Sequence, residues 1–452
     1  MKKHFLVVTV LLVLLLTFSA SALAQGPSSY TSGFQLQNLS SSQDATVVIT
    51  YYNQDGTVAS TVNDTVTKSS SKTYFPLSAV SDGFNGSVVI SSNQPVAAIA
   101  NILGDGGSFG GASYDSASAG ATSVSVPLVI RNAFGINTWF NVQNAGSGDA
   151  SVTVTYAGSS NITDPCTQTD TIKPGAAKTF IQNQVSCLSD GFIGAATITS
   201  NEPVVAAIVQ YDNDSLLAQN GFTGGSTNPV FPLVVNNIFN TWTGIQIQNT
   251  GGSSTDVTVT YTPLSGQPGA TCTEQQTIPS GESKTFGINY LTNTSACQGA
   301  NGYVGSAAVT GNSANQALVG LVNQVDLNGA NASAYNGFDP ASGTATVNIP
   351  LIINDFDLGG GNKLFTGFNV VNVGSQQTSV NCTFASSTYT ASGTLNPGEA
   401  LNDVQTGNST LGAGYVGAAT CTATGGDASI VGVVNQLGGS GDAILTYEAF
   451  NQ

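Results

Sequence analysis

The side chains of this 452-residue chain that could do chemistry are few: one histidine, six cysteines, nine lysines and arginines, and 25 aspartates and glutamates. The histidine, His4, stands in an N-terminal leader, so a Ser-His-Asp or Cys-His centre would have no base in the rest of the chain. The stretch GGSFG (106–110) fits G-x-S-x-G, but that pattern works on a strand-to-helix turn beside a base, and neither is in sight. No acidic pair recurs on a strand in the way a glycosidase would need. These residues predict a protein that is not an enzyme, with no catalytic and no cofactor-binding residues.

Three lysines recur at one place: Lys72 in SSSKTY, Lys178 in PGAAKTF and Lys284 in SGESKTF. Each is two residues before an aromatic, so lysine and ring share one strand face. Some bacterial surface sandwiches join a buried lysine to an asparagine with the help of a carboxylate, and Asn38, Asn144 and Asn249 recur as candidates for such an isopeptide bond, although no carboxylate recurs with them. The competing reading is a strand-end lysine that reaches water or a carboxylate. Asp212, Asp214, Asp355 and Asp357 are the best Ca²⁺ candidates, in YDNDS and NDFDLGGGN. A calcium site needs several oxygens converging on one point. Asx-turns explain the same residues without a metal.

The cysteines fall two each into the second, third and fourth of four repeated units described below. Of the pairings six cysteines permit, the repeats favour Cys166–Cys187, Cys272–Cys297 and Cys382–Cys421. Zinc would want histidine or C-x-x-C spacing, which the chain after its leader lacks. The first two bridges should staple a surface loop. Cys382 and Cys421 align with inward apolar positions of the other copies, so that bridge should cross the core between sheets.

The elements that must hold these residues are legible from composition. MKKHFLVVTVLLVLLLTFSASALAQ has a basic start, an apolar stretch and a small-residue cleavage site, which predicts a signal peptide over residues 1–24. No later run is apolar enough to span a membrane, so no insertion is expected after cleavage. The formal charge of −16 repels nucleic acid and anionic lipid. Charged residues make up only 8% of the chain, while Thr, Val, Ser, Gly and Asn dominate, which favours strands and tight turns over helices.

One strand occurs four times, as VVITYY (47–52), SVTVTY (151–156), DVTVTY (256–261) and SVNCTF (379–384). Before it stand SGFQLQN, TWFNVQN, TGIQIQN and TGFNVVN. After it come the lysine turn, a DGFNG-like motif and an apolar strand such as PVVAAIVQ. PLVIRN (127–132), PLVVNN (232–237) and PLIIND (350–355) link the units. Six or seven short strands per unit predict an all-β chain of four tandem immunoglobulin-like antiparallel β-sandwiches, over 25–126, 127–231, 232–349 and 350–452. Val257, Val259 and Tyr261 should face the core, and Thr258 and Thr260 solvent. If each PLVxxN link begins the unit after it, the first unit is one strand short. If it closes the unit before it, the fourth ends short.

The motifs TGF-x-VQN-x-G, VTVTY, PG-x-x-KTF, GF-x-G, PVAAIV and YNGF followed by PLV resemble those of repeat-bearing secreted proteins of filamentous, Chloroflexota-type bacteria. The resemblance runs over nearly the whole chain after the leader. It implies immunoglobulin-like repeats and a place at the cell surface, and it carries over no catalytic residue.

The expectation is therefore a secreted, extracellular structural or adhesive protein of the cell surface or matrix. It would be a semi-rigid rod that associates with itself head to tail, or with other surface proteins. The alternative is an array of polysaccharide-binding modules, for which Trp139 and Trp242 are the recurring aromatics, although they fit a domain junction better.

Overall fold

In the computed structural model the described residues are 29–105, 110–212, 215–238, 241–264, 267, 269–287, 302–326, 331–359, 361–438 and 444–451. They are almost wholly β, and every strand pair is antiparallel. Alternation decides which side chains form the cores. Val257, Val259 and Tyr261 are at most 1% exposed, while Thr258 and Thr260 on the opposite face are half-buried. Thr260 meets Thr310 hydroxyl to hydroxyl at 2.7 Å.

Each unit packs two sheets. In unit one they are Ser71–Tyr74, Tyr30–Asn38, Val96–Gly104 and Gly110–Asp115, in that order, against Val58–Val66, Ala45–Asn53 and Gly86–Ser92. The glycine of the GF-x-G motif lets strands approach closely: a Cβ on Gly86, Gly194 or Gly305 would lie 2.0–2.3 Å from the carbonyl oxygen of Tyr52, Ala157 or Thr262.

The strand holding each PLVxxN segment pairs inside the unit that follows it. Ala121–Arg131 lies on the 192–204 part of Phe192–Tyr211, Val230–Ile238 on Tyr303–Asn312, and Thr346–Asn354 on Tyr415–Thr424. Each ladder shifts register around its proline, which has no N–H to give a ladder. The closing Asn132, Asn237 and Asp355 turn the chain with φ of 45°, 55° and 48°. Asparagine and aspartate tolerate this left-handed conformation better than other side chains.

The linear rod expected from tandem repeats is not formed; the four units close into a ring. Along its flank, Ser87 Oγ of unit one donates to Gly175 O of unit two at 2.5 Å. Gln248 Nε2 of unit three reaches Ala196 O of unit two at 3.5 Å, Ser306 Oγ of unit three donates to Gly398 O of unit four at 2.7 Å, and Ser71 Oγ of unit one to Pro350 O of unit four at 2.9 Å. Ile99 of unit one belongs to the same apolar core as Leu351 and Ile352 of unit four. Repeats joined by flexible polar tethers would stay strung out. Here the links are themselves buried strands, so each unit is oriented by the next.

Candidate functional site

The ring is closed at its middle by one strand of each sandwich, ending at Asp115, Asn220, Asn336 and Glu448. Each of these four side chains bonds to the backbone of the preceding unit around the ring. Asn220 Nδ2 donates to Asp115 O, and Asn336 Nδ2 to Asn220 O, both at 2.9 Å. Glu448 Oε1 accepts from Asn336 N, and Asp115 Oδ2 accepts from Glu448 N at 3.1 Å. A carboxamide seizes a carbonyl where a carboxylate seizes an N–H, so unlike residues close the same circle. Burial, and then the neighbouring Glu448 carboxylate, push Asp115 well above the usual carboxylate range. Its Oδ1 is buried without a hydrogen-bond donor.

A second polar layer repeats the scheme. Gln210 and Asn323 exchange bonds at 3.0 and 2.8 Å, Gln324 and Asn435 at 3.2 and 3.3 Å, and Gln436 Nε2 donates to Ser113 Oγ at 3.1 Å. Sequence reasoning passed over all of these residues. The signal was there in the hydrogen-bonding type that ends SYD, AQN, AYN and TYE, one per repeat.

The other site is an edge. Units two to four each have a PLVxxN strand beside the strand of the GF-x-G motif, whereas in unit one Gly86–Ser92 pairs only with Ala45–Asn53 among the described residues. Val88 and Ile90 are only partly buried there. Their equivalents Ala196, Ile198, Ala307, Val309, Ala419 and Cys421 are at most 3% exposed.

The lysines and asparagines serve separate purposes. Lys72 pairs with Asp64 at 2.7 Å, and Tyr74 Oη donates to the same carboxylate at 3.0 Å. The lysine and Tyr74 hydrogen bonds draw Asp64 below its ordinary range against the opposing effect of burial. Lys178 and Lys284 stand on edge strands opposite Val142 and Ile247. The recurring asparagines are loop plugs. Asn38, Asn144, Asn249 and Asn372 are fully buried, and each Nδ2 donates to two backbone carbonyls, as Asn249 does to Ser253 O at 2.7 Å and Ile278 O at 3.0 Å. Each Oδ1 accepts the N–H two residues on. A carboxamide held this way is not presented to a lysine, which favours the strand-end reading of the lysines over the isopeptide one.

The aspartates act in turns. Asp212 Oδ1 accepts from Ser215 N and Oγ, and Asp357 Oδ1 from Gly359 N. Asp355 accepts from Thr406 Oγ1 and Gly407 N, with Lys363 Nζ 3.6 Å away. No cluster of three His, Cys, Asp or Glu side chains that could hold a metal ion occurs among the described residues. Asp214, Cys297, residues 1–24 and residues 106–109 of GGSFG lie outside the described residues.

Cys166 and Cys187 are bridged, and Ile162 and Leu188 beside them form an isolated β-bridge. Cys272 is disulfide-bonded. Cys382 and Cys421 are also bridged, with Cα atoms 3.8 Å apart, but the bond does not cross between sheets. The two residues are direct partners on neighbouring strands, on the core face of one sheet. The alignment to inward positions was sound; the inference that the two strands lie in opposite sheets was not. Trp139 packs at the junction of units one and two with Val209, Ile102 and Ala112, and Tyr30 meets it edge-on at 5.8 Å.

Fold and site together define an all-β protein of four sandwiches in a ring, with its polar chemistry used to join unit to unit. Residues 26–183, unit one and most of unit two, match the model of DUF5719, a family of unknown function. No curated protein matches the chain.

Proposed function

We propose that the chain is a secreted, non-enzymatic structural or adhesive protein of the cell surface or extracellular matrix, a building block that associates with itself or with other surface proteins. The observation that carries this reading is the central girdle. At the axis of a ring of domains, where a ligand channel could run, Asp115, Asn220, Asn336 and Glu448 close on one another's backbones. Disulfides within units suit an oxidising compartment. The sequence motifs resemble those of secreted proteins of filamentous bacteria, which supports the same location.

The alternative, a polysaccharide-binding array, needs aromatic rings on an open face, and Trp139 is engaged at a unit junction by Tyr30. Labelling this protein on intact cells, together with a glycan array of the purified chain, tests the proposal. Label at the surface without glycan binding is the expected result. A cytoplasmic label, or strong binding to one glycan class, would overturn it.

A further inference from the structure

The ring is complete in backbone course, but among the described residues unit one has one strand fewer than the other units, and four separate features mark its place. The first is the edge of Gly86–Ser92, which has no second partner strand among the described residues. The second is the exposure of Val88 and Ile90, whose counterparts lie opposite the PLVxxN strands: Ala196 faces Val126, Ala307 faces Phe231 and Ala419 faces Ile349.

The third is the wall across the gap. The outer faces of the PLVxxN strands pack on the next unit, as Leu128 and Ile130 do on Leu321. In units one, three and four the receiving residues, Ala97 and Ile99, Val319 and Leu321, and Val431 and Val433, are at most 3% exposed. In unit two the matching Val205 and Ala207 are only partly buried. The gap is nevertheless held at the width of a filled junction. Gln143 Nε2 reaches Val88 O at 3.5 Å and Gly175 O at 3.1 Å, and across the filled junction Gln248 Nε2 reaches Ala196 O at 3.5 Å and Gly281 O at 3.2 Å.

The fourth is a tyrosine. Tyr335 Oη accepts from Leu233 N at 3.0 Å and donates to Leu233 O, so it holds the backbone of the residue after the proline. Tyr447 does the same for Leu351, at 3.3 and 2.6 Å. Tyr114 occupies this position in unit one, and among the described residues no strand is there to take its hydroxyl.

The geometry points to a slot between units one and two that accepts a β-strand from a separate polypeptide chain. Three occupied copies define the chemistry of that strand: an apolar residue, then Pro-Leu, then two β-branched residues, ending in Asn or Asp two places on or one (SVPLVIRN, VFPLVVNN, NIPLIIND). The strand would pair along Gly86–Ser92 as an added edge strand, with the residue before its proline opposite Val88. Because Val88 replaces the alanine of the filled units, valine should fit before the proline better than phenylalanine. The inference rests on the reading of the chain as an assembling surface protein, and it names how a partner would attach.

The test titrates the full chain with a fluorescent peptide copying Ser123–Asn132, SVSVPLVIRN, beside a control peptide of the same residues reordered to abolish the alternation. Saturable one-to-one binding of the first peptide alone is expected, with slowed amide exchange across Gly86–Ser92. Ala207→Glu, on the far wall and outside the fold of unit one, should weaken binding about tenfold, the loss expected from burying an unpaired charge at an interface. A peptide with phenylalanine before the proline should bind more weakly. Absence of binding by the first peptide overturns the inference. So does full protection of Gly86–Ser92 in the free chain, which would mean that this edge is already covered. Surface label on cells without peptide binding would remove this inference and leave the proposed function standing.

Discussion

Asp115 Oδ2 accepts the Glu448 backbone N–H at 3.1 Å, and this one bond ties the end of the first sandwich to the end of the last. The residues are far apart in sequence, and what brings them together is a ring built by strands that each belong to one unit and lean on the next.

The Asp115 carboxyl is raised by burial and by Glu448, so the folded ring favours its protonated form. Its contribution is fully present below the ordinary aspartate value, about pH 4, and is lost as pH rises through the folded value. Asp55, Asp355 and Asp427, lowered by hydrogen bonds, act in the opposite sense and are weakened by acid. The difference between wild type and Asp115→Asn isolates the ring. The asparagine can keep the bond from Glu448 N, and it copies Asn220 and Asn336. Denaturant unfolding should find the variant more stable by roughly 1–3 kcal/mol at pH 8, with the gap closing towards pH 4. A gap that widens in acid would contradict this account of the girdle.

The bridge of Cys382 and Cys421 occupies a site that other units fill with Ile49 and Ile90, Val154 and Ile198, or Val259 and Val309, each also a directly opposed pair. Reduction should destabilise unit four, as losing a native disulfide typically does by about 2–5 kcal/mol. The double variant Cys382→Val with Cys421→Ile should recover about half of that or more through packing. Thermal melts with and without reductant, read on both proteins, decide it. A double variant no better than the reduced wild type would show that the bond matters beyond filling the core.

Much of this architecture was legible because strand period and burial share one cause. Val257, Val259 and Tyr261 alternate because one face of the sheet must be dry. The four-unit count follows from strands that recur with the same inward set. Ring closure was hidden because its residues vary in type. Asp115 and Asn220 look unrelated until one sees that one accepts an N–H and the other donates to a carbonyl. The Cys382–Cys421 bond was placed between sheets because inwardness is visible in sequence, whereas which sheet a strand joins is set by the ladder it forms. The recurring Asn249 looks from sequence like a candidate crosslink partner as much as a structural residue, because its burial and its two carbonyl acceptors depend on a loop that sequence shows only as polar.

Tyr335 and Tyr114 stand at one repeat position but should differ in worth. Tyr335→Phe leaves Leu233 N and O buried without their hydroxyl partner, which should cost roughly 1–3 kcal/mol. Tyr114→Phe breaks no such clamp in the free chain and should change stability by less than about 0.5 kcal/mol. Equal losses in urea unfolding would mean that the Tyr114 hydroxyl already has an equivalent task.

Asn249 carries the sharpest prediction for the loops. It is fully buried, with both Nδ2 hydrogens and Oδ1 engaged by Ser253 O, Ile278 O and Gly251 N. Asn249→Asp keeps the shape and the acceptor but sets a carboxylate against two carbonyl oxygens. Asn249→Ala removes the group and leaves three backbone groups without partners. Each unsatisfied buried group costs on the order of 1–3 kcal/mol, partly relieved by water. Both variants should therefore lose roughly 2–5 kcal/mol, and the aspartate variant should regain stability on acidification, because protonation restores one donor. Its midpoint should rise from pH 7 to pH 4 relative to the alanine variant. A lysine-linked asparagine would instead leave a covalent crosslink to Lys284 that mass spectrometry of a tryptic digest would find in the wild type and not in the variants; the expected digest shows Lys284 cleaved and unmodified.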